Sequence, residues 1–224
     1  MNKTYIIAEA GVNHNGSLEL ARQLIDVAAD AGADAVKFQT FKAEKLVSRH
    51  ASKAEYQKNN TDSVESQLDM IRKLELDVLA HLELNAHCQR RDIQFLSTAF
   101  DLESLEFLKN RFELPYLKIP SGELTNPMLL LKTAQTGKSV ILSTGMSCLQ
   151  DIETALGVLA FGYLNERSPS AKAFQHAYYS ESGYAMLLKK VTLLHCTTEY
   201  PAPFNEVNLK AMDTMSSAFG LSVG

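Results

Sequence analysis

Two lysines stand where a buried strand would not ordinarily carry them. Lys37 sits inside the apolar run Asp34-Ala35-Val36-Lys37-Phe38-Gln39, and Lys118 inside Tyr116-Leu117-Lys118-Ile119-Pro120. Around them, other β-rich runs finish on reactive or hydrogen-bonding side chains: Glu9, Gln39, Ser97 and Thr98, Ser121, Ser143 and Thr144, and His195. An uncompensated buried charge is strongly unfavourable, so lysine at such a position needs a partner or a task. One task is to hold oxyanions: a compact ammonium, helped by hydroxyls and by the amides of Ser121-Gly122 and Thr144-Gly145, suits phosphate and carboxylate groups. The competing task is a Schiff base on Lys118 or Lys37. For any one residue the plainer reading is a satisfied polar group in the core. The recurrence at strand after strand favours a shared site.

Other chemistries find less support. The chain has no G-x-G-x-x-G fingerprint, no P-loop and no H-E-x-x-H pair. Cys88, Cys148 and Cys196 are odd in number, widely spaced and without a C-x-x-C pair, which fits a reduced, cytoplasmic chain using cysteine as a small core residue. Cys196 alternates away from His195 along the strand and is not expected to partner it. A lone histidine at a strand end is more often hydrogen-bonded than a ligand, and His14 in the first loop is better placed than His50, His81, His87 or His176. The formal net charge of −4 argues against a nucleic-acid partner. No apolar run is long enough to span a membrane or to form a signal-peptide core.

These residues need elements to position them. The 224 residues, 46 % hydrophobic and 21 % charged, suffice for a sizeable core. Strands are expected at 5–10, 34–39, 93–97, 116–120, 139–143, 191–195 and from 221, with helices between them. Ser17 is an expected N-cap ahead of Leu18, Ala21, Ile25 and Ala28, and Gly32 an expected left-handed stop. Asp101 caps Leu102, Leu105 and Leu108; Pro127 opens a helix after Asn126; Ser147 with Gln150 fits a capping box. Thr40 to Ser63 reads as a long polar connection, and Tyr163 to Lys190 as one extra surface helix. Six β-then-α units and the start of a seventh strand make an α/β protein with a parallel sheet. In a closed barrel of this kind all strand ends meet at one face, where barrel enzymes keep their sites.

The motifs themselves carry a resemblance. Ala8-Glu9-Ala10-Gly11-Val12-Asn13-His14-Asn15-Gly16, Val36-Lys37-Phe38-Gln39-Thr40-Phe41, Lys118-Ile119-Pro120-Ser121-Gly122-Glu123, Leu142-Ser143-Thr144-Gly145-Met146 and His195-Cys196-Thr197-Thr198-Glu199-Tyr200-Pro201 closely resemble the bacterial sialic acid synthase family. The motif from Lys118 to Glu123 looks more like the N-acetylneuraminate and legionaminate synthases than the pseudaminate ones. The resemblance implies a TIM (β/α)8-type barrel, incomplete here, that condenses phosphoenolpyruvate with an N-acylated mannosamine-type hexosamine. The implied product is a nine-carbon 2-keto acid, with phosphate released.

By the same resemblance Lys37, Thr98, Lys118, Ser121 and Ser143 would hold phosphoenolpyruvate, and Glu9 would handle protons. Gln39, Tyr200 and Asn60 would face the sugar, with Glu123 also on the substrate. His195 would act as one of two histidines on a divalent metal, Mn2+ or Mg2+. The family continues through a Ser-Asp-His motif, an eighth strand and a small antifreeze-like domain that reaches across a homodimer, none of which occurs before Gly224. Residues 1–224 are therefore expected to be a single, incomplete, C-terminally truncated barrel domain. A Schiff-base aldolase and a catalytically silent fragment are the alternatives.

Overall fold

The computed structural model describes residues 3–48, 51, 66–197 and 202–224. They fall into two compact units, Met1–Leu108 and Lys109–Gly224. The first runs β1 (Ile7–Gly11), α1 (Leu18–Asp30), β2 (Ala35–Thr40), α2 (Ala43–Leu46), α3 (Gln67–Arg72), α4 (Val78–Arg90) and β3 (Gln94–Ala99), followed by α5 (Leu102–Arg111). The second runs β4 (Tyr116–Ile119), a 3-10 turn at Ser121–Glu123, α6 (Pro127–Gln135), β5 (Ser139–Ser143), α7 (Leu149–Tyr163), α8 (Ala171–Tyr179) and α9 (Glu181–Lys190). It continues with β6 (Val191–Leu194), α10 (Lys210–Phe219) and β7 (Ser222–Val223). Within each unit consecutive strands pair in parallel. The described helices include none long and apolar enough to cross a membrane.

Local chemistry sets these boundaries as the sequence suggests. Ser17 is extended, and its hydroxyl accepts the Leu20 amide at 3.3 Å. Ala21, Ile25 and Ala28 form the buried stripe of α1. The helix stops where Gly32 turns left-handed (φ +76), with Ala33 donating to the Ala28 carbonyl and Gly32 to that of Ala29. Asp101 accepts the Ser104 amide at 2.9 Å, and Asn126 accepts that of Leu129 ahead of a helix opened by Pro127.

Two expectations are corrected. The box that opens α7 uses Cys148 and Asp151, not Ser147 and Gln150: the Cys148 amide donates to the Asp151 carboxylate at 2.9 Å. An acidic third residue answers the helix N-terminus better than the amide of Gln150. The insert after Tyr163 is two helices rather than one. Ser180 ends α8 in an extended conformation, and its hydroxyl caps α9 through the Gly183 amide at 3.0 Å.

In the second unit α7 is buried continuously from Ala155 to Tyr163, on all its sides. It lies among α6, α8 and α9, which cover what the sheet does not. In the first unit, strand alternation creates two different faces. Phe38 and Phe95 stack at 6.0 Å on the face opposite Lys37. On that same face sits a buried polar chain. His81 of α4 donates from Nδ1 to the Asp77 carbonyl at 2.8 Å, so Nε2 accepts from the Thr40 hydroxyl at 2.8 Å. Thr40 in turn accepts from Ser97 at 2.7 Å. His14, wholly buried beside Phe38, accepts the Gly16 amide on Nδ1 at 3.0 Å.

Two predictions follow from this packing. Gly16 and Gly32 share the left-handed backbone (φ +78 and +76), but a Cβ on Gly16 would stand 2.3 Å from the Lys73 carbonyl oxygen, while one on Gly32 would meet nothing within 4 Å. Gly32→Ala should cost ~1–2 kcal/mol for the backbone alone, and Gly16→Ala at least about 1 kcal/mol more, because backbone must shift. Chemical denaturation of both variants checks this; equal losses would show that the Lys73 approach is loose. Burial above all holds both His14 and His81 below the ordinary value of 6.5. The unfolded chain therefore binds more protons below about pH 6.5, and stability should be full above that pH and fall below it, by up to ~1.4 kcal/mol per pH unit per ring. Unfolding free energies that stay level from pH 7 to 5 would show that these rings take protons within the fold.

Candidate active site

The first cluster forms where β1, β2 and β3 end. Register places Glu9 beside Lys37 and Gln39 beside Thr98. Lys37 is buried; its Nζ forms an ion pair with Glu9 Oε2 and donates to Thr98 Oγ1 at 3.3 Å. Glu9 itself is about half exposed, its side chain at 53 %. A bulge explains how it gets there: the pairing slips between Glu9 and Gly11, with Gly11 at φ +54, so the strand bends as it reaches the carboxylate. Gln39 lies on the same face, its Nε2 3.6 Å from where a Gly11 Cβ would stand. The result is an ammonium held by a hydroxyl and a carboxylate, the latter open to solvent.

The second cluster forms where β4, β5 and β6 end. Lys118 pairs in register with Ile141, so Ser143, two residues on, shares its face. Lys118 Nζ donates to Ser143 Oγ at 2.6 Å and to the Ile119 carbonyl at 3.0 Å. Ser121, at the start of the 3-10 turn, accepts the Gly145 amide at 2.9 Å. Gly145 makes room for this contact, since a Cβ there would come 2.9 Å from Ser121 Oγ and 3.3 Å from the Cys196 carbonyl. Cys196 Sγ lies 3.1 Å from Ser143 Oγ. Lysine, serine hydroxyls and a Gly-flanked turn are the donors expected for an oxyanion site.

The remaining candidates stand differently. Glu123 accepts from Asn126 Nδ2 at 2.7 Å and so braces the N-cap of α6. His195 is half-buried and donates from Nε2 to the Val207 carbonyl at 2.6 Å, which leaves Nδ1 as its acceptor nitrogen. No group of three metal-ligating side chains occurs among the described residues. A divalent ion needs more than the one imidazole nitrogen found here, so the described residues do not complete a site for Mn2+ or Mg2+. Asn60 and Tyr200 lie outside the described residues.

Two features escaped sequence reasoning. The Thr40–His81–Ser97 chain was hidden because His81 lies in helical periodicity that gives no hint of its strand partners. Cys196 was set aside by alternation from His195, yet Cys196 is the one that meets Ser143; β6 ends at Leu194. The signal available was the parity of Leu194, which pairs with Ser143 and places the side chain two residues on along the same face.

Comparison with known proteins places these motifs. The chain is 54 % identical, over all its 224 residues, to an N,N'-diacetyllegionaminic acid synthase of Campylobacter jejuni, of which it covers 60 %. It is 44 % identical over 98 % of its length to the enzyme of that name from Legionella pneumophila, of which it covers 56 %. The chain thus spans somewhat more than half the length of the curated relatives it matches. Among solved structures, an N-acetylneuraminic acid (sialic acid) synthetase from Leptospira borgpetersenii, crystallised in complex with citrate, matches the whole chain and 64 % of its own, with a TM-score of 0.75 and 31 % identity. That likeness fixes the fold class as α/β, an incomplete TIM-type barrel. The NeuB family model matches residues 24–224. With the lysines, hydroxyls and carboxylate at the ends of its strands and a family match over most of its length, the chain belongs to the NeuB family.

Proposed function

We propose that the protein to which this chain belongs condenses phosphoenolpyruvate with an N-acylated mannosamine-type hexosamine, adding water and releasing phosphate to give a nine-carbon 2-keto sugar acid. The observation that carries this reading is repeated in each unit: a lysine near the end of its strand donates to a hydroxyl on a neighbouring strand, Lys37 to Thr98 and Lys118 to Ser143. The names of the two legionaminic acid synthases, at 54 % and 44 % identity, favour legionaminate over N-acetylneuraminate as the product.

In this reading Lys37, Thr98, Lys118, Ser121 and Ser143 hold the phosphate and carboxylate oxygens of phosphoenolpyruvate. Preorganised donors of this kind stabilise charge as it moves onto the leaving phosphate. Glu9, open to solvent and bound to Lys37, takes or gives the proton at the attacking carbon or at the incoming water. Gln39, Asn60, Glu123 and Tyr200 are assigned to the substrates, chiefly the sugar. Mn2+ or Mg2+ belongs to the proposal, with His195 Nδ1 offering one ligand. A second copy of the protein as partner and a cytoplasmic location complete it. The Schiff-base alternative is disfavoured by the relatives, and by the ion pair that binds Lys37 to Glu9.

Phosphate release from phosphoenolpyruvate by the whole protein should require an N-acylated hexosamine acceptor and stop in excess chelator. Equal release without acceptor would overturn the condensation, and borohydride trapping with pyruvate would establish the Schiff base instead. Lys37→Ala and Lys118→Ala should each raise the phosphoenolpyruvate KM or lower turnover at least about tenfold, since a charge-assisted contact is worth roughly 1.5–3 kcal/mol. Unchanged kinetics in both would make these lysines structural.

A further inference from the structure

Cys196 has no role so far, yet it completes the second cluster. Its thiol carries one proton and has two acceptors in reach: Ser143 Oγ at 3.1 Å and the Leu194 carbonyl at 3.6 Å. The Leu194 carbonyl already accepts from the Thr144 amide at 3.1 Å and from the Thr144 hydroxyl at 2.8 Å. Both its lone pairs are taken, so the thiol proton goes to the nearer oxygen. Ser143 Oγ then receives two donors, Lys118 Nζ at 2.6 Å and Cys196 Sγ. A hydroxyl oxygen has two lone pairs, and both are now filled. Its own proton finds no acceptor among the described residues.

We propose that Cys196 is a positioning residue: by filling the second lone pair of Ser143 it commits that hydroxyl to donating, beside the Lys118 ammonium, to an oxygen of phosphoenolpyruvate. Without the thiol the hydroxyl can also accept, and its proton is no longer aimed. Ser121 differs: its oxygen accepts the Gly145 amide on one lone pair, and its hydroxyl can still donate or accept. The cluster thus offers an anionic ligand an ammonium and two hydroxyl donors. This proposal rests on the phosphoenolpyruvate reading above.

The experiment is steady-state kinetics of the whole protein, with both substrates varied. Cys196→Ala should raise the KM for phosphoenolpyruvate three- to tenfold and leave the KM for the sugar and the unfolding temperature within error. Cys196→Ser, whose hydroxyl donates from the same place, should restore most of the loss. In a Ser143→Ala background, Cys196→Ala should add nothing further. An unmoved KM for phosphoenolpyruvate, a parallel rise for both substrates, or an additive effect on top of Ser143→Ala would each overturn the proposal. A second measurement needs no variant: saturating phosphoenolpyruvate should slow alkylation of Cys196 by iodoacetamide at least threefold, while exposed Cys148 reacts unchanged. Alkylation of Cys196 at an unaltered rate would likewise overturn it. Failure of the wider reading shows separately: an unsubstituted protein that does not turn over phosphoenolpyruvate overturns that reading and this proposal together.

Discussion

Taking an ammonium group out of water in a parallel strand is tolerable only when nearby groups answer its charge, and buried Lys37 and half-buried Lys118 impose that condition on the architecture around them. Lys37 is met by a carboxylate from one neighbouring strand and a hydroxyl from the other. Meeting it requires β1 to bend at Glu9 and β3 to bring Thr98 level with Gln39. Lys118 is met by Ser143 and by its own strand's carbonyl at Ile119. Parallel register makes both arrangements available, because side chains of equal parity on adjacent strands stand on the same face. Of the groups that satisfy the cations, the hydroxyls of Thr98 and Ser143 can also donate, whereas the Glu9 carboxylate and the Ile119 carbonyl can only accept.

The opposite face of the first unit obeys a different rule. There Phe38 and Phe95 supply the apolar contact, and Thr40, Ser97 and His81 form a polar chain that solvent does not reach. A buried network is sound only if its members are satisfied, and the order of donors through this one is set by a single carbonyl, that of Asp77. Helix α4 is thereby keyed to β2 and β3 by more than apolar contact. The chemistry on one face and the cohesion on the other come from neighbouring residues of the same strands.

Much of this was legible in the sequence because strong local signals coincide with strong physical causes. Ser17, Asp101 and Asn126-Pro127 open helices as their side chains dictate, and Gly32 closes one. The pairing of Lys37 with Thr98 and of Lys118 with Ser143 follows once the strands are known. Misreadings arose where two local signals competed or where a pattern was extended past its element. Ser147 and Cys148 both precede an apolar run, and Asp151 decides between them. One long aromatic-rich segment became two helices because Ser180 offers its hydroxyl to the second turn rather than continuing the first. Glu123 also accepts from Asn126 Nδ2 and braces that cap, a contact that motif spacing does not report.

Helix α7 has a consequence for how this chain can vary. Its buried run from Ala155 to Tyr163 leaves no side for solvent. Phe174 of α8 sits edge-on to Phe161 at 5.1 Å, and its carbonyl comes so near the helix that a Cβ on Gly157 would stand 2.9 Å away. The insertion between β5 and β6 is therefore not free to lengthen, shorten or disappear as a surface excursion would. Shortening it would strip the cover from the run Ala155–Tyr163, which has no polar face to show, and a chain without it would need polar residues on the outer side of that run. Insertion length and the residues on the outer side of α7 should change together, as one inherited character rather than two.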